Sequence, residues 1–269
     1  IRNILIFPQV AFMNMNKSAL LRISLFGGFF LVLCALSLAI GAQDMSWLTL
    51  TASRFPRLAA LVLTGVGLSV CGVILQHIVR NKFVEPATSG GLDAAKLGIL
   101  VALTMIPTSS NLIRMLFALL FCFASSLIFV GMVSRIRLKS TVLIPVIGLM
   151  YGGVLSAIAE YYAYHNNILQ SMQGWMLGDF SKIVQGNYEI IYLILPIVVL
   201  TYLYAQRFTM LGMGEGIAKS LGLNYTATVV LGLILVAVTV ASTVITVGAI
   251  PFVGLVIPVI PPKNNRIQK

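Results

Sequence analysis

Any acid–base, metal or nucleophilic chemistry would have to come from seven Asp and Glu, two His and three Cys, spread over 269 residues. Asp93 and Glu160 are the acids set within apolar stretches, where an ionisable group is costly and often marks a path or relay. An acid at a membrane surface reaching water is the plainer reading, and both stay open. His77 and His165 are too few and too far apart to suggest a metal site. Cys34, Cys71 and Cys122 lie inside apolar runs at spacings that match no metal motif, so they read as small packing residues. The run Gly212 to Ser220 has the outline of a phosphate-binding loop. It fails because Ala218 stands where that loop needs glycine before Lys219, and no strand precedes it. No set of nucleophile, base and orienter can be assembled. The chain is therefore expected to catalyse nothing itself and to hold no metal or cofactor.

The remaining polar clusters suit contacts rather than catalysis. Arg54 and Arg57, three apart in Arg54-Phe55-Pro56-Arg57, could offer guanidinium groups to carboxylates of another protein, or could reach lipid headgroups. Asn81-Lys82-Phe83-Val84-Glu85-Pro86 leads into Ser89-Gly90-Gly91, where the chain can bend or backbones can approach closely. That suits a gate, though a plain polar turn between two helices is the simpler reading. Gly214 to Leu223 can form a short helix with Glu215 and Lys219 paired at i and i+4 in the favoured order, well placed to meet a soluble partner. Gly148 and Gly152 make a small-residue pair of the kind that packs helices tightly.

The elements that carry these residues are apolar helices. Apolar residues make up 59% of the chain and charged residues 9%, a ratio outside that of soluble domains. At about 20 residues per crossing, runs at 19–42, 58–79, 97–107, 113–133, 141–164, 187–206 and 225–260 predict an all-α, polytopic membrane bundle of seven spans plus part of an eighth. The 97–107 run is short and should begin earlier, near 88–95, which puts Asp93 and Lys96 near or within the membrane. The 225–260 run is too long for one crossing and should turn back near Gly248. The first run is long and lacks a cleavage site, so it is expected to be a retained helix.

The net charge of +11 could suggest nucleic acid, but the basic residues sit at the ends of apolar runs, where loops meet anionic headgroups. With the N-terminus inside, Arg2, Lys17, Arg22, Arg80, Lys82, Arg135, Arg137, Lys139, Arg207 and Lys219 are cytoplasmic. Arg54, Arg57, Arg114 and Lys182 are outside. That bias predicts a cytoplasmic N-terminus. The expected organisation is a cytoplasmic segment 1–18, of which 1–14 looks extraneous, a membrane domain 19–260 and a short irregular tail 261–269.

Arg54 to Arg57, Asn81 to Pro86, Trp175-Met176-Leu177-Gly178, Gly214-Glu215 with Ala218 and Leu221-Gly222, and Phe252 to Pro258 occur in an order that resembles the FecCD-type permeases. These are the membrane subunits of bacterial ABC importers for iron-siderophores, haem and vitamin B12. The resemblance covers about residues 20–258 and implies a ten-helix, type II importer permease in the bacterial inner membrane. It implies a second permease subunit, two cytosolic ATPases that hold ATP and Mg, and an extracytoplasmic binding protein. By position, it assigns Arg54 and Arg57 to binding-protein docking and Asn81, Lys82, Glu85 and Pro86 to a cytoplasmic gate. Gly214, Glu215, Ala218, Lys219, Leu221 and Gly222, within coupling helices at about 208–223, are assigned to ATPase contact. Asp93 and Glu160 are left as possible path residues.

Three departures stand out. Lys82 replaces the proline usual after the gate asparagine, and Asp179 follows Gly178 where a small neutral residue is usual. The family also continues past Pro258 with two further helices, whereas this chain runs Val259 to Lys269, so a permease truncated at its C-terminus is expected. The wording of residues 54–100 looks most like permeases for ferric catecholate siderophores. Rival expectations are a vitamin B12 or haem permease and, in another class, an ion-coupled transporter or intramembrane enzyme.

Overall fold

The computed structural model describes residues 17–40, 46–135, 143–186 and 188–259. Residues 1–16, the basic loop positions Arg137 and Lys139, and the 261–269 tail lie outside the described residues. Two compact units are delimited, residues 1–58 and 59–269.

In the first unit, α1 (Lys17–Ala39) is apolar on every side: Leu25, Phe26, Phe29 and Leu31 are all exposed. A helix greasy all round belongs in a membrane or a core. A second helical stretch opens at Trp47, with the Ser46 side chain accepting from Thr49 N–H at 3.1 Å. It runs as α2 (Trp47–Thr49), a π turn (Leu50–Arg54) and α3 (Phe55–Val79), whose first residues belong to this unit. The apolar run that carries this span begins at residue 58; the helix instead begins at Trp47, seven residues before Arg54. Pro56 has no N–H to give to the preceding turn, and the backbone widens there, so that Phe55 N–H donates to Leu50 O.

The second unit continues α3 and adds α4 (Gly91–Met105), α5 (Asn111–Arg135), α6 (Leu143–His165) and α7 (Leu169–Met176). A 3₁₀ turn (Glu189–Leu193) leads into α8 (Ile194–Leu203), followed by α9 (Ala205–Gly212), α10 (Glu215–Ser220), α11 (Tyr225–Thr246) and α12 (Val253–Val259). Each expected apolar run thus meets a helix. Among the described residues, four stretches are long and apolar enough to cross a membrane: Trp47–Val79, Asn111–Arg135, Leu143–His165 and Tyr225–Thr246. Glu189–Leu203 with Ala205–Gly212 makes a fifth if the 65° bend between them belongs to one span. At about 1.5 Å per residue, the 15 residues of α4 fall short of a full crossing.

α11 is the core of this unit, packed against α4 and α5. Thr239, Ser242 and Thr243 on it are fully buried. Thr239 and Ser242 return their hydroxyls to carbonyls one turn back, on Leu235 and Val238, the usual way to satisfy a hydroxyl where no water reaches. The chain leaves α11 at Gly248, whose φ of +101° is open to glycine, so the expected turn is present.

Candidate functional site

The two arginines differ in setting. Arg54 is 7% exposed and donates through one guanidinium nitrogen to Leu38 O at 2.6 Å and Ala39 O at 2.9 Å. It therefore closes the C-terminal end of α1, where unpaired carbonyls favour a cation. Arg57 is half-buried.

The loop from Asn81 to Gly90 is a tightly bonded plug. The Asn81 side-chain oxygen accepts from Phe83 N–H at 2.9 Å, a local turn typical of asparagine. Glu85 N–H donates to the Thr88 hydroxyl at 2.9 Å, and the Ser89 hydroxyl donates to Pro86 O at 3.1 Å. Asn81, Glu85 and Pro86 are buried, while Lys82 and Phe83 are exposed at the turn. A Cβ on Gly148 would overlap Thr88 O, and one on Gly152 would lie 3.3 Å from Gly90 Cα. The loop therefore rests directly on α6, at a depth that only glycine permits.

Next to it, a charged cluster joins α4 to α6. Lys96, 8% exposed, donates to Ser156 Oγ at 2.5 Å. Its ammonium lies 3.4 Å from Asp93 Oδ1 and 3.8 Å from Glu160 Oε1. Ser156 passes the contact on by donating to Glu160 Oε1 at 3.1 Å. Asp93 and Glu160, sixty-seven positions apart in sequence, thus share one ammonium. Sequence reasoning placed Lys96 near the membrane but gave it no role, and it missed Ser156. The signal was the run of small residues Gly148, Gly152 and Ser156 at four-residue spacing on α6, the face that receives α4. An ammonium between two carboxylates can hold two helices together, or contact a charged solute passing over the Glu160 side, which is 56% exposed.

At the far end of α3, α10 folds back on the bundle. Gly214 precedes it with φ +103°, and a Cβ there would stand 2.9 Å from the Arg80 guanidinium. Glu215 and Lys219 pair at 2.7 Å on the exposed side. The helix is shorter than the Gly214–Leu223 segment expected from sequence, because Gly222, at φ +80°, terminates it. Ala218 is fully buried, whereas Met213, Ile217 and Leu221 are more than half exposed. The short helix and the residues flanking it therefore show three apolar side chains and an ion pair to the outside. A cavity of about 600 Å³ beside α10 is lined by Arg80, Ser134, Glu215 and Tyr225.

At the end of α7, Trp175 to Asp179 runs beside the Gly248 turn. Ala249 N–H donates to Met176 O at 3.2 Å and Asp179 N–H to Val247 O at 3.0 Å. A Cβ on Gly178 would lie 2.9 Å from Ala249 O, which explains the glycine. Asp179 accepts from the Ser181 hydroxyl at 2.6 Å and the Ser181 N–H at 2.8 Å. Those bonds, with Lys182 nearby, hold its carboxyl below the usual range. A cavity of about 260 Å³ beside this turn is lined by Arg114, Trp175, Asp179 and Lys182, slightly below the roughly 300–1,000 Å³ of small-molecule pockets.

Residues 17–261 match the model of the FecCD transport family. The chain is 62% identical over 240 residues to the ferric-anguibactin transport system permease protein FatD of Vibrio anguillarum, taking in 85% of this chain and 76% of that protein. It is 43% identical over 239 residues to the petrobactin import system permease protein YclN of Bacillus subtilis, with the same coverage of 85% and 76%. Against the vitamin B12 import system permease protein BtuC of Vibrio cholerae, identity falls to 28% over 243 residues, 86% of this chain and 73% of that one. Among solved structures, an inward-facing metal-chelate type ABC transporter matches with a TM-score of 0.71 at 26% identity, covering 88% of this chain and 80% of that chain.

Proposed function

Because the chain belongs to the FecCD transport family, we propose that it is the membrane permease subunit of an ABC importer that brings a ferric siderophore into the cytoplasm. The observation that carries this reading is the 62% identity to a ferric-anguibactin permease, far above the 28% to a vitamin B12 permease. The wording of residues 54–100 further favours a catecholate-type complex. The permease does no chemistry; ATP and Mg belong to two cytosolic ATPase subunits, and a second permease subunit completes the path.

In this reading the N-terminus is cytoplasmic, so that α10 and the Asn81–Gly90 loop face the cytoplasm and Arg57 faces outside. Arg57, with Arg54 behind it, receives carboxylates of the loaded binding protein. Met213, Ile217 and Leu221 seat α10 in the ATPase, and Glu215 and Lys219 fix its orientation there. Closure of the ATPases on nucleotide then pulls α10 and the attached α9 and α11, and the path exchanges its outward opening for an inward one. The Asn81–Gly90 loop is the inner gate, and Asp93 and Glu160 stand on the path. Weak contacts suffice there, since tight binding would slow release.

The test is reconstitution of the permease with its ATPase and binding protein in lipid vesicles. Binding protein loaded with a ferric catecholate should stimulate ATP hydrolysis and radio-iron uptake, and binding protein loaded with vitamin B12 or haem should not. Uptake that persists with an inactive ATPase would instead favour an ion-coupled transporter, for which the Asp93–Lys96–Glu160 cluster would supply the charges.

A further inference from the structure

α12 begins without a cap of its own. The residues before it, Ile250, Pro251 and Phe252, carry no side-chain oxygen, yet the first backbone N–H groups of any helix need acceptors. The acceptor comes from 167 positions away. Glu85, 2% exposed, takes a hydrogen bond on Oε1 from Phe252 N–H at 2.7 Å, and its Oε2 lies against Gly254 in the first turn. The carboxylate thus serves a backbone donor at the start of this helix, where the helix dipole also favours negative charge.

Three further features show that the contact is built rather than incidental. Glu85 is itself fixed, since its N–H is bonded to Thr88 Oγ1 and Pro86 stiffens the next position. Phe252 is held at φ +71°, a conformation that non-glycine residues keep only where their surroundings impose it. Gly254 is clasped on both sides: its Cβ position lies 3.2 Å from Glu85 Oε2 and 2.7 Å from Leu68 O, and a Cβ on Gly72 would overlap Gly254 O. The start of α12 is wedged between α3 and the Glu85 carboxylate, with no room for a side chain at Gly254.

We propose that Glu85 is a positioning residue that joins the Asn81–Gly90 loop to the start of α12, so that loop and helix move as one body when the path changes its opening. This rests on the importer reading. The gate is then no free flap: displacing it means carrying the 252–256 segment along, or leaving the Phe252 N–H and a buried carboxylate unpaired, which is strongly unfavourable.

The experiment uses the assembled permease–ATPase complex in lipid nanodiscs, with Cys34→Ser and nitroxide labels at Phe83→Cys and Val256→Cys. Both label positions are about half exposed, and the native Cys71 and Cys122 are fully buried. The label-to-label distance should keep the same peak in the nucleotide-free and ATP-trapped states. Glu85→Ala should broaden that peak and lower ATP-driven uptake at least tenfold. Glu85→Gln should fall between, because it keeps one acceptor oxygen for the Phe252 N–H but replaces the charge with an NH₂ that faces the start of α12. A peak that shifts with nucleotide in the unmodified Glu85 protein would overturn the proposal, as would a Glu85→Ala protein with unchanged width and uptake. The width is read without cargo, so loss of siderophore uptake in the Glu85 protein with a narrow, state-independent peak would sink the importer reading alone.

Discussion

At the residue scale, the most consequential side chain is Lys96. It brings two carboxylates to one place, and its removal would leave Asp93 and Glu160 facing each other with no cation between them. Breaking a buried ion pair from one side costs about 3 kcal/mol or more, and the low end applies because the Glu160 side chain is 56% exposed. Lys96→Met should therefore lower the midpoint of thermal unfolding in detergent clearly. Adding Asp93→Asn and Glu160→Gln to it should recover most of the loss, since no uncompensated charge then remains. An unchanged midpoint in the single variant would mean that the cluster does not hold α4 to α6. Asp93 and Glu160 were legible in the sequence because a charge inside an apolar run is conspicuous. Their sharing of Lys96 was not, because it depends on how α4 and α6 are set against each other, and no local pattern encodes that. Arg54 shows the same limit: its spacing from Arg57 was visible, and its bonds to Leu38 O and Ala39 O were not.

At the scale of elements, glycines decide where helices can touch. Gly148 and Gly153 lie on the same helix, yet a Cβ on the first would overlap Thr88 O and one on the second meets nothing within 4 Å. Gly148→Ala should cost on the order of 2 kcal/mol, the scale of overpacking against backbone that cannot yield. Gly153→Ala should be neutral or gain up to about 1 kcal/mol of helix propensity. Comparing the two thermal midpoints checks this, and equal midpoints would refute a tight seat for the Asn81–Gly90 loop. The same reasoning applies to α10. Gly214→Ala forces a side chain into φ +103° and against Arg80, and Glu215→Ala removes the pair to Lys219. Both should lower binding-protein-stimulated ATP hydrolysis several-fold while the protein still inserts and purifies. Unchanged coupling in both would count against α10 as the ATPase contact. Most of this layer was readable in advance, including the early start of α4, the turn at Gly248 and the short helix at Glu215. The π turn before Pro56 was not, because proline suits a first helical turn as well as it disrupts an established one, and the sequence does not say which applies.

At the scale of the whole molecule, the charge pattern implies an orientation that side-specific labelling can test. The ends of helices carrying Arg80, Arg135, Arg207 and Lys219 should lie together on one side, and those carrying Arg57, Arg114 and Lys182 on the other. If the first side is the cytoplasm, an impermeant maleimide should modify Phe83→Cys and Ile217→Cys only in inside-out vesicles. Trp47→Cys should react only in right-side-out ones. All three positions are well exposed, at 49%, 54% and 80%, so access in each case is decided by the membrane and not by packing. The native cysteines sharpen the reading: Cys71 and Cys122 are fully buried and should stay unmodified until detergent denatures the protein, while Cys34→Ser removes the third. Reaction of Phe83→Cys and Trp47→Cys from the same side would contradict a crossing by α3. Reversed sidedness throughout would keep the fold but place α10 outside, where no ATPase could reach it, and the importer mechanism would fall with the orientation.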